Sequence, residues 1–262
     1  RREVKIPVKH GPMIHDCAFT QRFAIILDLP VTFSLRAGIS GHTFPYRWRP
    51  GHAARVGLLP REGEARDIIW CPIDPCYVFH AINSYDTADG SVVLDVIVHD
   101  QMFSRIKSGP DSQRCGVERW VIDPATQRVE RDPIDPTPQE FPRPDERLLG
   151  QPYRYAYTMG MTGPFLGTGL FKHDMQARTR QEHDFGPNRL PCEFVFVPAH
   201  AQAEEDAGWL IGFVIDTGAG ATDLVILDAR NFEGVPQASI HIPHIVPPGF
   251  HGNWFGNGRD LN

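Results

Sequence analysis

Glu118-Arg-Trp-Val-Ile-Asp123, returning as Arg128-Val-Glu130, reads as a strand, an aspartate, a polar turn and a second strand. The layout recurs at Gly169-Leu-Phe-Lys-His-Asp174 leading to Ala177-Arg-Thr179, and at Leu224-Val-Ile-Leu-Asp228 leading to Ala238-Ser-Ile240. The turn aspartates stand 51 and 54 residues apart. Hairpins repeating every ~40 to 55 residues mark the blades of a β-propeller, with a β-sandwich as the rival architecture. Around them lie further short runs rich in Val, Ile and Phe: Phe23 to Leu29, Val92 to Val98, Glu193 to Val197, Trp209 to Ile215 and Asp223 to Leu227. No stretch keeps a period of 3.6 for three turns, so the chain is expected to be all-β with few, short helices. At that period residues 1–262 hold four to five blades, read as one partial propeller.

Composition narrows the function. The 262 residues are 41% apolar and 22% charged, an ordinary globular balance. Glycine and proline number 24 each, which favours many turns. A net charge of −6 supplies no basic stripe, so a nucleic-acid partner is not expected. No apolar run approaches the roughly 20 residues of a transmembrane helix. The five cysteines (Cys17, Cys71, Cys76, Cys115, Cys192) are odd in number and match no zinc spacing. They read as reduced thiols in a cytoplasmic setting. Lys107 to Gly116 reads as a polar loop. Asp132 to Asp145, with five prolines, reads as an ordered crossing over a propeller face.

Three segments each set one histidine beside bulky apolar residues: Met13-Ile-His15-Asp16-Cys-Ala-Phe-Thr20, Phe79-His80-Ala-Ile-Asn83-Ser-Tyr-Asp86 and Pro248-Gly-Phe-His251-Gly252. The histidines are 65 and 171 residues apart, so only a closed, roughly radial fold could make them one site. Imidazole is the commonest protein metal ligand, and three of them suggest a metal on the axis of that fold. Taken in order with Glu204-Glu-Asp206-Ala-Gly-Trp-Leu210 and Leu227-Asp-Ala229, the three segments resemble the motifs of the carotenoid cleavage oxygenases.

That resemblance implies a seven-bladed β-propeller, of which this chain supplies about the last four to five blades. It implies Fe(II) held by four histidines, with His15, His80 and His251 as three of them. It implies Glu140 and Glu193 as carboxylates that hold the ligand imidazoles. It also implies O2-dependent cleavage of a conjugated C=C bond in a carotenoid, apocarotenoid or stilbene-type substrate, giving two carbonyl products. The partners are then O2 and an apolar polyene or stilbenoid, with peripheral membrane contact as a route to substrate. The family's first histidine and third glutamate find no match after Arg1. The chain therefore reads as a C-terminal half, incomplete as a fold and as an enzyme. Phe165 leads the candidates for an apolar tunnel, ahead of Phe44, Trp48, Phe103 and Phe255. Asp86 and the turn aspartates are read as structural. A non-catalytic binding propeller and a retinoid isomerase-type relative are the alternatives.

Overall fold

The fold was obtained as a computed structural model and is described for residues 2–42, 44–104, 111–162 and 167–256. It comprises two units, Arg1–Thr137 with Leu149–Pro152, and Pro138–Leu148 with Tyr153–Asn262.

In the first unit β1 (Ala18–Phe19) and β2 (Phe23–Asp28) form a hairpin. The chain then leaves the sheet for a ribbon of β3 (Val31–Phe33) and β4 (Tyr46–Trp48), joined through the short helix α1 (Leu35–Ile39). It returns through β5 (Arg55–Pro60) and β6 (Ile69–Pro72), giving the order β1-β2-β5-β6. Ser34 caps α1, its Oγ accepting from the Ala37 N–H at 3.3 Å. The second sheet runs β7 (Tyr77–Asp86), β8 (Val92–His99), β9 (Cys115–Asp123) and β10 (Arg128–Asp135), each antiparallel to the one before. Every residue of β8 is buried, including Asp95. The Arg119 guanidinium forks this carboxylate at 2.8 and 2.9 Å from the facing position on β9, which makes its burial tolerable. The core of the unit gathers Ile25, Leu58, Tyr77, Leu94 and Trp120.

The second unit holds β11 (Gln139–Pro144), β12 (Tyr155–Met161), β13 (Gly167–Asp174) and β14 (Thr179–His183) in one sheet. A second sheet is built of β15 (Arg189–Pro198), β16 (Gly208–Asp216), β17 (Ala221–Asp228) and β18 (Ala238–Ile242). Phe141, Tyr157, Phe194, Phe196, Leu210 and Val225 lie in its core. Among the described residues there are thus four four-stranded antiparallel sheets, each in simple up-and-down order apart from the ribbon inserted in the first. That is the lower end of the four to five blades expected.

The repeated aspartates are turn-formers, as read, with Asp228 accepting from the Arg230 N–H at 2.9 Å. Asp123 accepts from the Ala125 N–H at 2.9 Å and Asp174 from the Ala177 N–H at 2.9 Å. Asp216, between β16 and β17, accepts from the Ala219 N–H at 2.8 Å. The turns at Asp123, Asp174 and Asp216, the last outside the repeat read from the sequence, close on a left-handed residue: Gln127 at φ 56°, Arg178 at φ 55° and Gly220 at φ 65°. The proline-rich stretch differs from its reading. It is occupied chiefly by the end of β10 and by β11, two edge strands, rather than by a crossing segment. Edge position is where prolines 133, 142 and 144 cost least, because an edge strand can leave one row of its hydrogen bonds unmade. Of the loop at 107–116, residues 107–110 lie outside the described residues, and Cys115 and Gly116 open β9.

Candidate metal centre

Four of the candidate residues belong to the opening of a sheet. His15 lies three residues before β1, His80 on β7, Glu140 on β11 and Glu193 on β15. These are the four strands that begin their sheets, and each is an edge. On three of them the register shifts at the candidate residue: between Val78 and Ala81, between Glu140 and Arg143, and between Pro191 and Phe194. A bulge places extra residues on one strand and re-aims a side chain that regular alternation would commit to a sheet face.

In the first unit the segment before His15 is pinned beside β3 by a Pro12–Thr32 bridge and by the Met13 N–H donating to Val31 at 2.8 Å. Asp16 then links the two histidine segments. Its Oδ1 accepts from the Cys17 N–H at 2.7 Å and its Oδ2 from the Ala81 N–H at 2.9 Å. The rings of His15 and His80 meet edge to face, with centroids 5.0 Å apart and planes at 79°. Each offers a ring nitrogen within 4.8 Å of the other, a span two ligands of one ion can share. Phe79 packs on His15 at 5.1 Å, Phe103 on Phe79 at 6.3 Å and Phe44 on Phe103 at 5.0 Å. A line of aromatic rings therefore runs from the imidazole pair to the exposed Phe44. Asn83 ties in residues 149–152, accepting from the Gly150 N–H at 3.0 Å, and Asp86 pairs with Arg22 at 2.9 Å. Both are structural.

In the second unit Glu193 is buried and saturated. Its Oε1 accepts from Arg143 Nε at 2.9 Å and lies 3.1 Å from His251 Nδ1. Its Oε2 accepts from Arg143 Nη2 at 3.0 Å and from the Gly252 N–H at 2.8 Å. An ionised carboxylate only accepts, so Nδ1 of His251 carries the proton and Nε2 carries the lone pair a metal would use. Glu140 is buried in β11, one oxygen accepting from the Phe141 N–H at 2.9 Å. Phe141 itself is left-handed at φ 56° and rests on the His251 ring at 5.6 Å. Such a conformation costs a bulky residue of order 1–3 kcal/mol and marks a backbone held by its surroundings. Sequence reading passed over Arg143 and Phe141. The nearest signal was their place in Gln139-Glu-Phe-Pro-Arg143, immediately after a residue already singled out.

Other expected residues fall elsewhere. Phe165 lies outside the described residues. Phe255 is exposed on the C-terminal segment, and the backbone N–H of Trp48 donates to the Phe103 carbonyl at 3.2 Å. Glu204, Glu205 and Asp206 form a structural network. Lys172, buried on β13, donates to Asp206 at 2.9 Å and to the Ala229 carbonyl at 2.8 Å, while Glu205 accepts from the Arg154 and Tyr155 amides. Asp206 is held below its usual range: burial opposes ionisation, but the Lys172 and Arg230 contacts outweigh it.

The donors fit a first-row transition metal. Imidazoles with no thiolate among them, His251 oriented by a carboxylate, suit a divalent ion of that kind, iron included.

The comparisons agree with this class of protein. The family model described as retinal pigment epithelial membrane protein matches residues 1–256, and the chain belongs to that family, the carotenoid cleavage oxygenases. A carotenoid cleavage oxygenase of Mycobacterium tuberculosis is 36% identical over 97% of this chain and 60% of its own length. The cobalt-substituted apocarotenoid oxygenase of Synechocystis superposes with a TM-score of 0.85 at 28% identity, over 93% of this chain and 53% of its own. The lignostilbene dioxygenase of Pseudomonas brassicacearum has a TM-score of 0.84 at 24% identity, over 94% and 55%, a likeness of fold alone. The fold is that of these β-propellers, and the chain spans between half and three-fifths of the relatives' length.

Proposed function

We propose that the protein is an Fe(II)-dependent dioxygenase that cleaves a conjugated C=C bond of a carotenoid, apocarotenoid or stilbene-type substrate, with O2, into two carbonyl products. In this reading His15, His80 and His251 are ligands of one metal, and Glu140 and Glu193 hold the ligand imidazoles. The observation that carries it is the Glu193 carboxylate on His251 Nδ1, which gives this histidine the tautomer and aim of a ligand. The facing rings of His15 and His80 support the same reading.

Bound iron would supply the redox-active centre at which O2 reacts. The chain's own residues orient it and receive the substrate. Glu193 keeps the proton on Nδ1 of His251, and Asp16 keeps the His15 and His80 segments in register. The ring series Phe79, Phe103, Phe44 offers a rigid polyene an apolar wall to lie against. It ends near α1, where Leu35, Ile39 and Phe33 are exposed, a surface suited to peripheral contact with the lipid in which such substrates dissolve. No helix of the described residues is long and apolar enough to cross a membrane. The five free thiols suit a reducing, cytoplasm-like compartment.

The test is iron per chain and O2 uptake measured together on the purified full-length protein, with an apocarotenoid and a stilbenoid as substrates. Stoichiometric iron and substrate-dependent O2 uptake are expected, with His15→Ala, His80→Ala and His251→Ala each abolishing both. Glu140→Gln and Glu193→Gln should weaken iron binding by about 10- to 100-fold. Wild-type levels of iron in all three histidine variants would refute the site.

A further inference from the structure

We propose that Arg143 is a positioning residue that fixes the His251 imidazole through Glu193, so that the proposed metal finds its ligand already aimed. The consequence for metal binding rests on the function proposed above; the orientation of the ring does not.

The guanidinium makes four contacts. Nε and Nη2 grip the two oxygens of Glu193 at 2.9 and 3.0 Å, Nη2 also donates to the Gly252 carbonyl at 2.7 Å, and Nη1 donates to Glu146 at 3.0 Å. A two-bond fork of planar guanidinium on planar carboxylate removes the carboxylate's freedom to rotate. The remaining acceptor directions of Glu193 are then fixed, one towards His251 Nδ1 and one towards the Gly252 N–H. Residues 247–256 belong to no strand or helix, so no ladder of backbone bonds orients His251. The Arg143–Glu193 pair replaces it. Glu193 holds the Gly252 amide and Arg143 the Gly252 carbonyl, so both polar groups of the residue after the histidine sit in one socket. Phe141, two residues before Arg143 on the same strand, packs against the imidazole in an edge-type contact. A lysine is a point charge and cannot span both carboxylate oxygens and the carbonyl together, so charge alone does not supply this role.

The test uses Arg143→Gln and Arg143→Lys in the purified protein. In the metal-free state, long-range 1H–15N correlation of the labelled His251 ring reads its tautomer. The wild type is expected to hold the proton on Nδ1. Arg143→Gln should show a mixture of tautomers, with Arg143→Lys in between, at unchanged far-ultraviolet circular dichroism. Cobalt(II) titration, followed by its visible ligand-field bands, should show about 10- to 100-fold weaker binding in Arg143→Gln. If Arg143→Gln fails to fold, Arg143→Lys carries the test. Both folded variants keeping the wild-type tautomer would overturn the proposal. A tautomer shift in a protein whose cobalt bands are indifferent to His251→Ala would uphold the positioning role and sink the metal reading instead.

Discussion

Two carboxylates do comparable work at the residue scale. Glu193 orients a ring, whereas Asp16 orients a backbone: its two oxygens accept from Cys17 and Ala81, the residues two beyond His15 and one beyond His80. The aspartate was legible in the sequence only as a letter beside a histidine. Its partner 65 residues away was not, because the Ala81 amide turns towards Asp16 at a bulge that no side-chain pattern reveals. Asp16→Ala leaves two amide donors without their acceptor, at a cost of about 1–3 kcal/mol where water cannot replace it. The expected result is a lowered urea midpoint together with weaker cobalt binding. Asp16→Asn, which keeps one acceptor oxygen, should fall between. A variant as stable as wild type and equally tight for metal would show that the link between the two segments is incidental.

At the scale of elements, the sequence displayed the hairpins and hid their irregularities. The aspartate turns were readable because a short acceptor followed by polar residues has a local cause, the Asx-turn. The bulges at His80, Glu140 and Glu193 were not. They arise where a strand must pair and also point one side chain out of register, a demand imposed by the site rather than by neighbours in sequence. The proline-rich stretch was misread for a related reason: proline argues against a central strand but permits an edge strand, and only the sheet order distinguishes the two. The turns give a test. Gly220 holds the left-handed place that Gln127 and Arg178 hold in the equivalent turns. Gly220→Ala should therefore destabilise by about 1–2 kcal/mol, the penalty of a Cβ in that region. Gln127→Gly removes that penalty but adds the chain entropy of glycine, about 0.5–1 kcal/mol, and should be neutral or slightly stabilising. Urea unfolding of the two variants reads both signs, and equal destabilisation by the two would contradict the shared turn geometry.

At the scale of the molecule, the family order of the motifs carried more than any one of them, since each histidine segment alone would suit a packed or surface residue. What composition could not convey is where the apolar surface goes. The last sheet of the second unit sends one face into its core through Phe194, Phe196, Leu210, Val214 and Val225. Its other face is also apolar: Phe213 stands opposite Leu224 and Leu224 opposite Ile240, with Ile211, Ile226 and Ala238 in the adjoining row. Phe213 is 37% and Ile240 52% exposed, and Ile240 lies on β18, an edge strand. An apolar row ending on an unprotected edge invites pairing with another chain. The 262-residue chain is therefore expected to self-associate with rising concentration in sedimentation velocity. Ile240→Lys sets a charge on that edge and should shift the population towards monomer. It should leave cobalt binding unchanged, because β18, which carries Ile240, lies at the opposite edge of the sheet from β15, which carries Glu193. Wild-type chain that stays monomeric at concentrations of about 100 µM, well within the range where exposed edges aggregate, would show that this face needs no cover.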